Sequence, residues 1–312
     1  MSEAAATFPC FGGICSVRVS GGGERYAAAG AVADAKRLLL LAHRTLSRFD
    51  PRSELSRLNR DPRREVPASP LLRRLVAGAL SAGMRSGGLV DATLVDEIEA
   101  AGYAESRDFD GALRVAPALP SHPAHPSVRS AWCELAVDER AGTVSRPPGL
   151  RIDPGGIAKG LLADEVAARL TDFPAFAVDC CGDLRVGGTE ARPRTVLVDD
   201  PLGGAPLHEL RIAAGAVATS GVTRRTWIDA EGRVAHQILD PSSGRPAHTG
   251  VIQATAVAPT GLLAETLAKS ALLVGPERAA SQLPFGGVIV AESGAVVVCE
   301  SLAPLAAAGL VA

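Results

Sequence analysis

Two adjacent glycines and a lysine, Gly155, Gly156 and Lys159, stand at the predicted start of an amphipathic helix in the stretch RIDPGGIAKGLLADEVAARL, residues 151–170. The glycines permit a tight turn and close backbone approach by a ligand. The free N–H groups and the positive dipole end of a helix start suit a phosphate or diphosphate. A lysine in the first turn is unfavourable for the helix dipole, and an anionic ligand would explain it. The same pattern also fits an ordinary strand–turn–helix connection, because a glycine-rich helix start is a weak motif.

Lysine is rare in this chain. Only Lys36, Lys159 and Lys269 occur among its 32 basic residues, and the others are arginine. In such a composition a lysine can mark a position that needs a compact ammonium group rather than a guanidinium. We interpret Lys36 as an ordinary residue of a surface helix. Lys159 and Lys269 are candidate functional cations, with chance placement as the alternative.

The composition excludes several classes of protein. The chain has 312 residues, 47% hydrophobic and 21% charged, which is typical of a globular protein. Its net charge of −2 argues against a general nucleic-acid-binding protein. It has no apolar run of 18 residues and no signal-peptide pattern at the N-terminus, so we expect no membrane span. Its six cysteines form no CxxC pair; we interpret them as reduced thiols and expect a cytoplasmic location.

Hairpin patterns dominate the predicted secondary structure. Strands occur in adjacent pairs rather than in strict alternation with helices, which favours α+β architecture with antiparallel sheets and packed helices. Ser69 followed by Pro70 predicts a helix to about Arg85. Thr260 predicts the N-cap of a helix that ends near Val274. We expect residues 1–10 to form a loose tail and residues 11–312 a single domain.

Seven segments, taken together and in order, resemble the ApbE family of flavin transferases. These segments are FDPRSELSRLN, GGLVDATLVDEIEAAGY, DPGGIAKGLLADEVAARL, CGDLRVGG, AVATSG, ILDPSSGRP and VAPTGLLAETLAKSALLVG. The resemblance implies a two-lobed α+β fold with a flavin cleft and FAD as the substrate. It also implies transfer of FMN to a threonine hydroxyl of an acceptor flavoprotein, with release of AMP and with Mg²⁺ neutralising the diphosphate.

The resemblance assigns most of the site residues. A backbone carbonyl at Ala158 is the implied metal ligand, and Lys159 is added from the helix start described above. Asp91 has an alternative role, because Asp91 and Thr93 could simply cap the following helix. The implied flavin-contacting positions are Phe11, Leu89, Val90, Asp91, Gly155, Leu161 and Leu239.

This sequence departs from the family pattern at three positions. The metal-binding Asp of the family is Glu265 here, and the metal-binding Thr is Lys269. The catalytic base is replaced by Gln237, whose amide cannot take up a proton. His236 is the neighbouring candidate, but alternate residues of a strand face opposite sides, so it should point away from the cleft unless a bulge re-aims it.

Glu265 and Lys269 are one helical turn apart and should share a face of the helix that Thr260 begins. One hypothesis is that the Lys269 ammonium replaces the metal ion and that Glu265 orients it. The alternative is a solvent-facing ion pair, which contributes little to stability.

Three functions stay open at this stage. The first is an FAD:protein FMN transferase with altered metal and base chemistry. The second is a module of the same fold that binds FAD or another nucleotide without transfer, which the departures favour. The third is a scaffold without a nucleotide, which the glycine turn, Lys159 and the DPSSGRP turn argue against.

Overall fold

The architecture is organised around one antiparallel sheet of eight strands. The computed structural model describes residues 3–23, 26–107, 120–302 and 305, so residues 1–2 of the predicted tail and the last residues of the predicted domain lie outside the described part. Every neighbouring pair in this sheet is antiparallel. The predicted α+β class with antiparallel sheets is therefore confirmed.

The strands of the described part, in chain order, are β1 (Glu3–Cys10), β2 (Gly13–Ser20), β3 (Gly22–Gly23), β4 (Tyr26–Ala27), β5 (Glu65–Pro67), β6 (Ala136–Asp138), β7 (Thr143–Ser145), β8 (Ala175–Cys180), β9 (Asp183–Gly187), β10 (Arg194–Val198), β11 (His208–Ile212), β12 (Gly215–Gly221), β13 (Thr226–Ile228), β14 (Val234–His236), β15 (Leu239–Asp240), β16 (Arg245–Pro246), β17 (Val251–Ala258), β18 (Gly287–Ala291) and β19 (Val296–Cys299). The order in the large sheet is β1-β2-β8-β9-β12-β17-β18-β19, and the other strands form small sheets of two or three.

The helices of the same part are α1 (Ala28–Thr45), α2 (Glu54–Arg60), α3 (Pro70–Arg85), α4 (Val95–Ala100), α5 (Ala158–Ala167), α6 (Gly261–Leu273) and α7 (Pro276–Ala279), with short 3-10 turns at Ala131–Glu134 and Ala280–Gln282. The predicted caps are present: the Ser69 hydroxyl accepts from the Leu72 N–H, and the Thr260 hydroxyl accepts from the Leu263 N–H. No helix among the described residues has both the length and the apolar character needed to cross a membrane.

The prediction of a loose N-terminal tail was wrong for residues 3–10. They form β1, which pairs with β2 along its whole length. The two strands are joined by Phe11 and Gly12, both with positive φ, in the manner of a tight two-residue hairpin turn. The alternating burial of β1, with Phe8 and Cys10 in the core, explains why the segment is ordered: one face of the strand covers the apolar side of α1.

Helix α6 packs on β12 and β17 through small side chains. Strand β17 is buried along its whole length, which is expected of a strand covered on both faces. Ala264 of α6 is fully buried in one cluster with Ala216, Ala218 and Ala258 of the sheet. These alanines let the helix lie close to the strands, and this places the opposite part of α6 against α5.

Helices α5 and α6 meet at two glycines. A Cβ atom added to Gly160 would lie 2.3 Å from the Gly261 carbonyl oxygen, and one added to Gly261 would lie 2.4 Å from the Gly160 carbonyl oxygen. The two backbones therefore touch at this crossing, and no side chain fits between them.

We predict that Gly160→Ala destabilises the protein by about 1–3 kcal/mol or more, because the added methyl group forces α5 and α6 apart. The matched control is Gly78→Ala inside α3, where the nearest atoms to an added Cβ are at an ordinary 3.5 Å. That change should be neutral or stabilising by up to about 1 kcal/mol, since alanine favours helix. Urea unfolding of both variants measures the difference, and equal effects would contradict the close helix contact.

Candidate active site

A single cleft of about 440 Å³ collects segments that are far apart in the chain. It lies where the β1–β2 turn, the start of α5, one face of α6 and the segment after β14 converge. The predicted site residues on its wall are Phe11, Leu89, Val90, Asp91, Gly155, Ala158, Lys159, Gln237, Leu239, Glu265 and Lys269.

Two of the predicted site residues are not on this wall. Leu161 lies in the main hydrophobic core, where it approaches Gly78 of α3, rather than on the wall of the cleft. His236 is also elsewhere, as described below.

Four buried charges form a cluster at the base of the cleft. The Lys159 Nζ donates to Asp183 Oδ2 at 2.6 Å, and the Lys269 Nζ lies 3.8 Å from Glu265 Oε1. Two ammonium groups and two carboxylates offset each other. Burial alone would lower the pKa of Lys159, but attraction by Asp183 and Glu265 raises it above its ordinary value. Burial, followed by repulsion from Asp183, raises the pKa of Glu265.

Asp183 is held by a second tight turn. Cys181 and Gly182, both with positive φ, connect β8 to β9, and Asp183 is the first residue after the turn. The side chain of Asp183 is almost fully buried. The hairpin therefore delivers one carboxylate to the base of the cleft from the large sheet.

The start of α5 differs from the predicted open anion site. The amide of Gly160 donates to Glu265 Oε2 at 3.0 Å, and the amide of Ala158 donates to the Pro154 carbonyl. A carboxylate of the chain thus already takes up an amide in the first turn of α5. Gly155 is nearby, with its amide bound to Asp153 Oδ1 in a local turn. The glycine turn lies on the wall of the cleft, but some of the backbone N–H groups here are already bound to carboxylate oxygens of the chain.

The Lys269 ammonium faces the glycine turn. Its Nζ donates to the Gly156 carbonyl oxygen at 2.6 Å, and a Cβ added to Gly156 would lie 3.4 Å from Nζ. The side chains of Lys269 and Glu265 are 15% and 3% exposed, so the alternative of a solvent-facing ion pair was wrong. The carbonyl that meets Lys269 belongs to Gly156, rather than to Ala158.

These contacts do not fit the divalent metal that the family resemblance implies. One oxygen of Glu265 is bound to an amide and the other faces an ammonium group, while the Gly156 carbonyl is already an acceptor for Lys269. Mg²⁺ is usually held through one or two open carboxylates at about 2.1 Å, together with waters and substrate phosphates, and Glu265 has no open oxygen pair to offer. No group of three or more His, Cys, Asp or Glu side chains that could hold a metal occurs in the part of the chain that the structure describes.

Gln237 and His236 point in opposite directions, as the strand geometry predicts. Gln237 lines the cleft, and its Oε1 is buried without a hydrogen-bond partner while its Nε2 approaches the Gly221 carbonyl at 3.4 Å. His236 is fully buried outside the cleft, with Nε2 3.1 Å from the Ala247 carbonyl and Nδ1 accepting from the Ile238 amide. Since a carbonyl only accepts, Nε2 carries the proton. His236 is therefore a structural residue and not the base of this cleft.

Asp91 lies on the wall of the cleft and does not cap α4. Its Oδ1 accepts from both the amide and the hydroxyl of Thr93, at 2.8 and 2.6 Å, whereas α4 begins after Leu94 without a side-chain cap. Burial raises the pKa of Asp91. Among the described residues, the carboxylate of Asp91 is thus held in the cleft wall through Oδ1 by Thr93.

The sequence reasoning missed an aromatic and arginine lining on one wall. Phe49 and Tyr103 are 5.4 Å apart, and the Arg48 guanidinium lies 4.2 Å from the centre of the Phe49 ring. Arg225 also lines the cleft and, unlike its neighbour Arg224, forms no ion pair with a described carboxylate. A usable signal was present: the chain contains only two tyrosines, so a tyrosine close to a glycine-bounded segment was informative.

Fold and cleft together define an α+β protein with a polar, partly aromatic cleft that closes on a charged base. The family model described as ApbE family matches residues 11–285. Since this match spans most of the chain, the protein belongs to the ApbE family.

Individual relatives agree with this assignment. The FAD:protein FMN transferase of Haemophilus influenzae is 26% identical over 249 residues, which cover 75% of this chain and 69% of that protein. The FAD:protein FMN transferase of Treponema pallidum is 27% identical over 158 residues, 45% of this chain and 42% of that protein.

Solved structures show the same fold. The ApbE protein of Thermotoga maritima matches with a TM-score of 0.77 at 23% identity, covering 96% of this chain and 97% of that one. The flavin transferase ApbE of Vibrio cholerae matches with a TM-score of 0.70 at 20% identity, covering 96% and 98%. At these identities the likeness concerns the fold alone.

The burial of His236 predicts a specific pH dependence of stability. Burial and repulsion by His248 lower the pKa of His236 from 6.5 to about 3. The unfolded chain therefore binds the proton first, and the free energy of unfolding falls as the pH drops below about 6.5. Between about pH 7 and pH 5 the protonation of His236 in the unfolded chain should lower the free energy of unfolding by about 2 kcal/mol.

Urea unfolding should show this loss in the unmodified protein and not in His236→Asn. The exposed His122 provides the control variant His122→Asn, which should keep it, and equal pH profiles in all three proteins would contradict the prediction.

Proposed function

We propose that this protein is an FAD:protein FMN transferase, which moves FMN from FAD to a threonine hydroxyl of an acceptor flavoprotein and releases AMP. The observation that carries the proposal is the convergence of Phe11, Asp91, Gly155, Gln237 and Lys269 on one cleft. These residues come from five segments that are far apart in the sequence of an ApbE fold, and the family resemblance implies a flavin-transfer role for each of them. The names of the relatives from Haemophilus influenzae and Treponema pallidum support the transfer of FMN from FAD to a protein.

The reaction is a phosphoryl-type transfer. The threonine oxygen forms a bond to the FMN phosphorus, and the bond from that phosphorus to the bridging diphosphate oxygen breaks, so that AMP leaves with the bond electrons. The hydroxyl proton passes to the leaving phosphate oxygen of AMP or to solvent water as the new bond forms. Such reactions depend mainly on positioning and on neutralisation of the diphosphate charge.

The cleft offers groups for both tasks. Phe49 and Tyr103 give one wall of the cleft an aromatic surface suited to a flavin or adenine ring, and the Arg48 guanidinium lies against both rings. Arg225 places a cation on the wall, where its charge also acts on Lys159 and Cys181. The side-chain amide of Gln237 on the cleft wall can form a hydrogen bond with the acceptor hydroxyl and orient it, although an amide cannot take up its proton.

The second candidate function is FAD binding without transfer. Gln237 at the position of the base and Lys269 at the position of a metal ligand favour it, because both departures affect the chemical step rather than the binding of the flavin. Both functions share the cleft, and a transfer assay separates them.

The assay combines the purified protein with FAD and an acceptor flavoprotein that carries a target threonine. We expect flavin fluorescence to migrate with the denatured acceptor and AMP to appear in equal amount. An acceptor with the threonine changed to alanine is the control and should stay unlabelled. FAD binding without labelling of any acceptor would favour the second function, and absence of FAD binding would exclude both.

We predict that Gln237→His raises the transfer rate by roughly 10²-fold or more, because a positioned general base typically contributes roughly 10²–10⁴-fold. Gln237→Leu keeps the size but removes the hydrogen-bond acceptor, so its rate should fall below that of the unmodified protein. Single-turnover rates of labelled acceptor measure both variants. Unchanged rates in both would show that Gln237 does not contact the acceptor hydroxyl.

A further inference from the structure

We propose that the Lys269 ammonium is a built-in cation for the dinucleotide and that FAD binding in this cleft requires no metal ion. The inference rests on the proposed function for the identity of the ligand. It concerns the position where the family resemblance implies Mg²⁺ and where the residues of this chain do not fit a metal.

The first argument is spatial. Lys269 Nζ lies 2.6 Å from the Gly156 carbonyl oxygen. A magnesium ion held between the start of α5 and Glu265 would lie beside this ammonium group, which repels it because both carry positive charge. Glu265 offers no open oxygen pair, because the Gly160 amide holds its Oε2 and Lys269 faces its Oε1.

The second argument is that several groups of the chain surround this lysine. Gly156 lies directly against it, since an added Cβ would be 3.4 Å from Nζ, an ordinary contact distance. Glu265, one turn earlier on α6, reaches the start of α5 with its second oxygen while the first faces the ammonium. The lysine is therefore framed by a glycine, a backbone carbonyl and a carboxylate rather than placed at random.

The third argument concerns donor capacity. An ammonium group has three N–H donors, and the described contact with the Gly156 carbonyl uses one. Lys159 is directly bonded to Asp183 at 2.6 Å, whereas Lys269 is 3.8 Å from its nearest carboxylate. Each lysine uses one donor in these contacts, but the charge of Lys159 is directly paired with Asp183, so the less closely paired charge of Lys269 is the one available to attract a phosphate in the cleft.

The primary experiment uses the unmodified protein, stripped of metals, and follows FAD binding by calorimetry in EDTA and again in excess Mg²⁺. We expect the two dissociation constants to agree within about twofold, since no step of binding uses the metal. Binding that disappears in EDTA and returns with Mg²⁺ would overturn the inference. Absence of binding under both conditions would overturn it together with the proposed function, whereas binding in EDTA without transfer would leave the inference standing and reject the transferase.

Lys269→Met removes the charge with little change of size and should weaken FAD binding by about 10–100-fold, the range for loss of a charged hydrogen bond. The matched control is Lys36→Met on α1. That lysine lies 5.3 Å from the Phe8 ring, outside the cleft, and its loss should leave FAD binding unchanged. Equal affinities in Lys269→Met and Lys36→Met would show that the ammonium does not meet the ligand.

A double variant tests the same idea in the opposite direction. Glu265→Asp combined with Lys269→Thr removes the cation and supplies a shorter carboxylate and a hydroxyl. FAD binding to this protein should be weak in EDTA and strengthened by Mg²⁺ by about tenfold or more. Thermal unfolding of the ligand-free variants checks that they are folded. Tight, metal-independent binding by the folded double variant would contradict the role of Lys269.

Discussion

Each of the helices α5 and α6 provides a carboxylate that binds backbone amides at the start of the other helix, and the geometry of the cleft depends on this pair of contacts. Asp164 of α5 accepts from the amides of Gly261 and Leu262 at the start of α6, at 2.7 and 3.0 Å. Glu265 of α6 accepts from the Gly160 amide at the start of α5. Each carboxylate satisfies backbone groups that a helix start leaves unpaired and lies at the positive end of the partner's dipole. Because the helix backbones touch at Gly160 and Gly261, both carboxylates lie close enough to bind these amides.

This arrangement explains why the charged residues at the base of the cleft depend on one another. Lys159 extends from α5 to Asp183 of the large sheet, and Lys269 extends from α6 to the turn before α5. Removing any one of the four charges would leave an uncompensated charge in a buried place, which is strongly destabilising. Glu265 and Lys269 therefore depend on each other, and replacing only one of them should destabilise the protein.

Local signals made the helices and much of the site predictable from sequence. The caps at Ser69 and Thr260 fix the starts of α3 and α6 because a hydroxyl two or three residues before the helical amides acts over a short range. Strand β1 was not predicted because it is stabilised by pairing with β2 and by packing against α1, and both are tertiary contacts. Asp183, the partner of Lys159, was missed for the same reason: the contact spans 24 residues and three elements. For Leu161 the helix was predicted, but its side chain packs in the core rather than on the cleft wall, because the sequence alone does not show which face of α5 meets α3.

The neighbours His236 and Gln237 define what chemistry this cleft can perform. A shift of one residue along a strand exchanges the two faces, so His236 cannot reach the cleft without breaking its bond to the Ala247 carbonyl and leaving the core. The cleft consequently presents an amide at the position where a base is expected. Phosphoryl transfer tolerates this change better than proton abstraction from carbon would, because most of its acceleration comes from placing the reactants and stabilising charge. In this cleft the charged side chains are anchored to two helices that contact each other at Gly160 and Gly261, so the groups that could neutralise a diphosphate are held in place although Gln237 cannot act as a base.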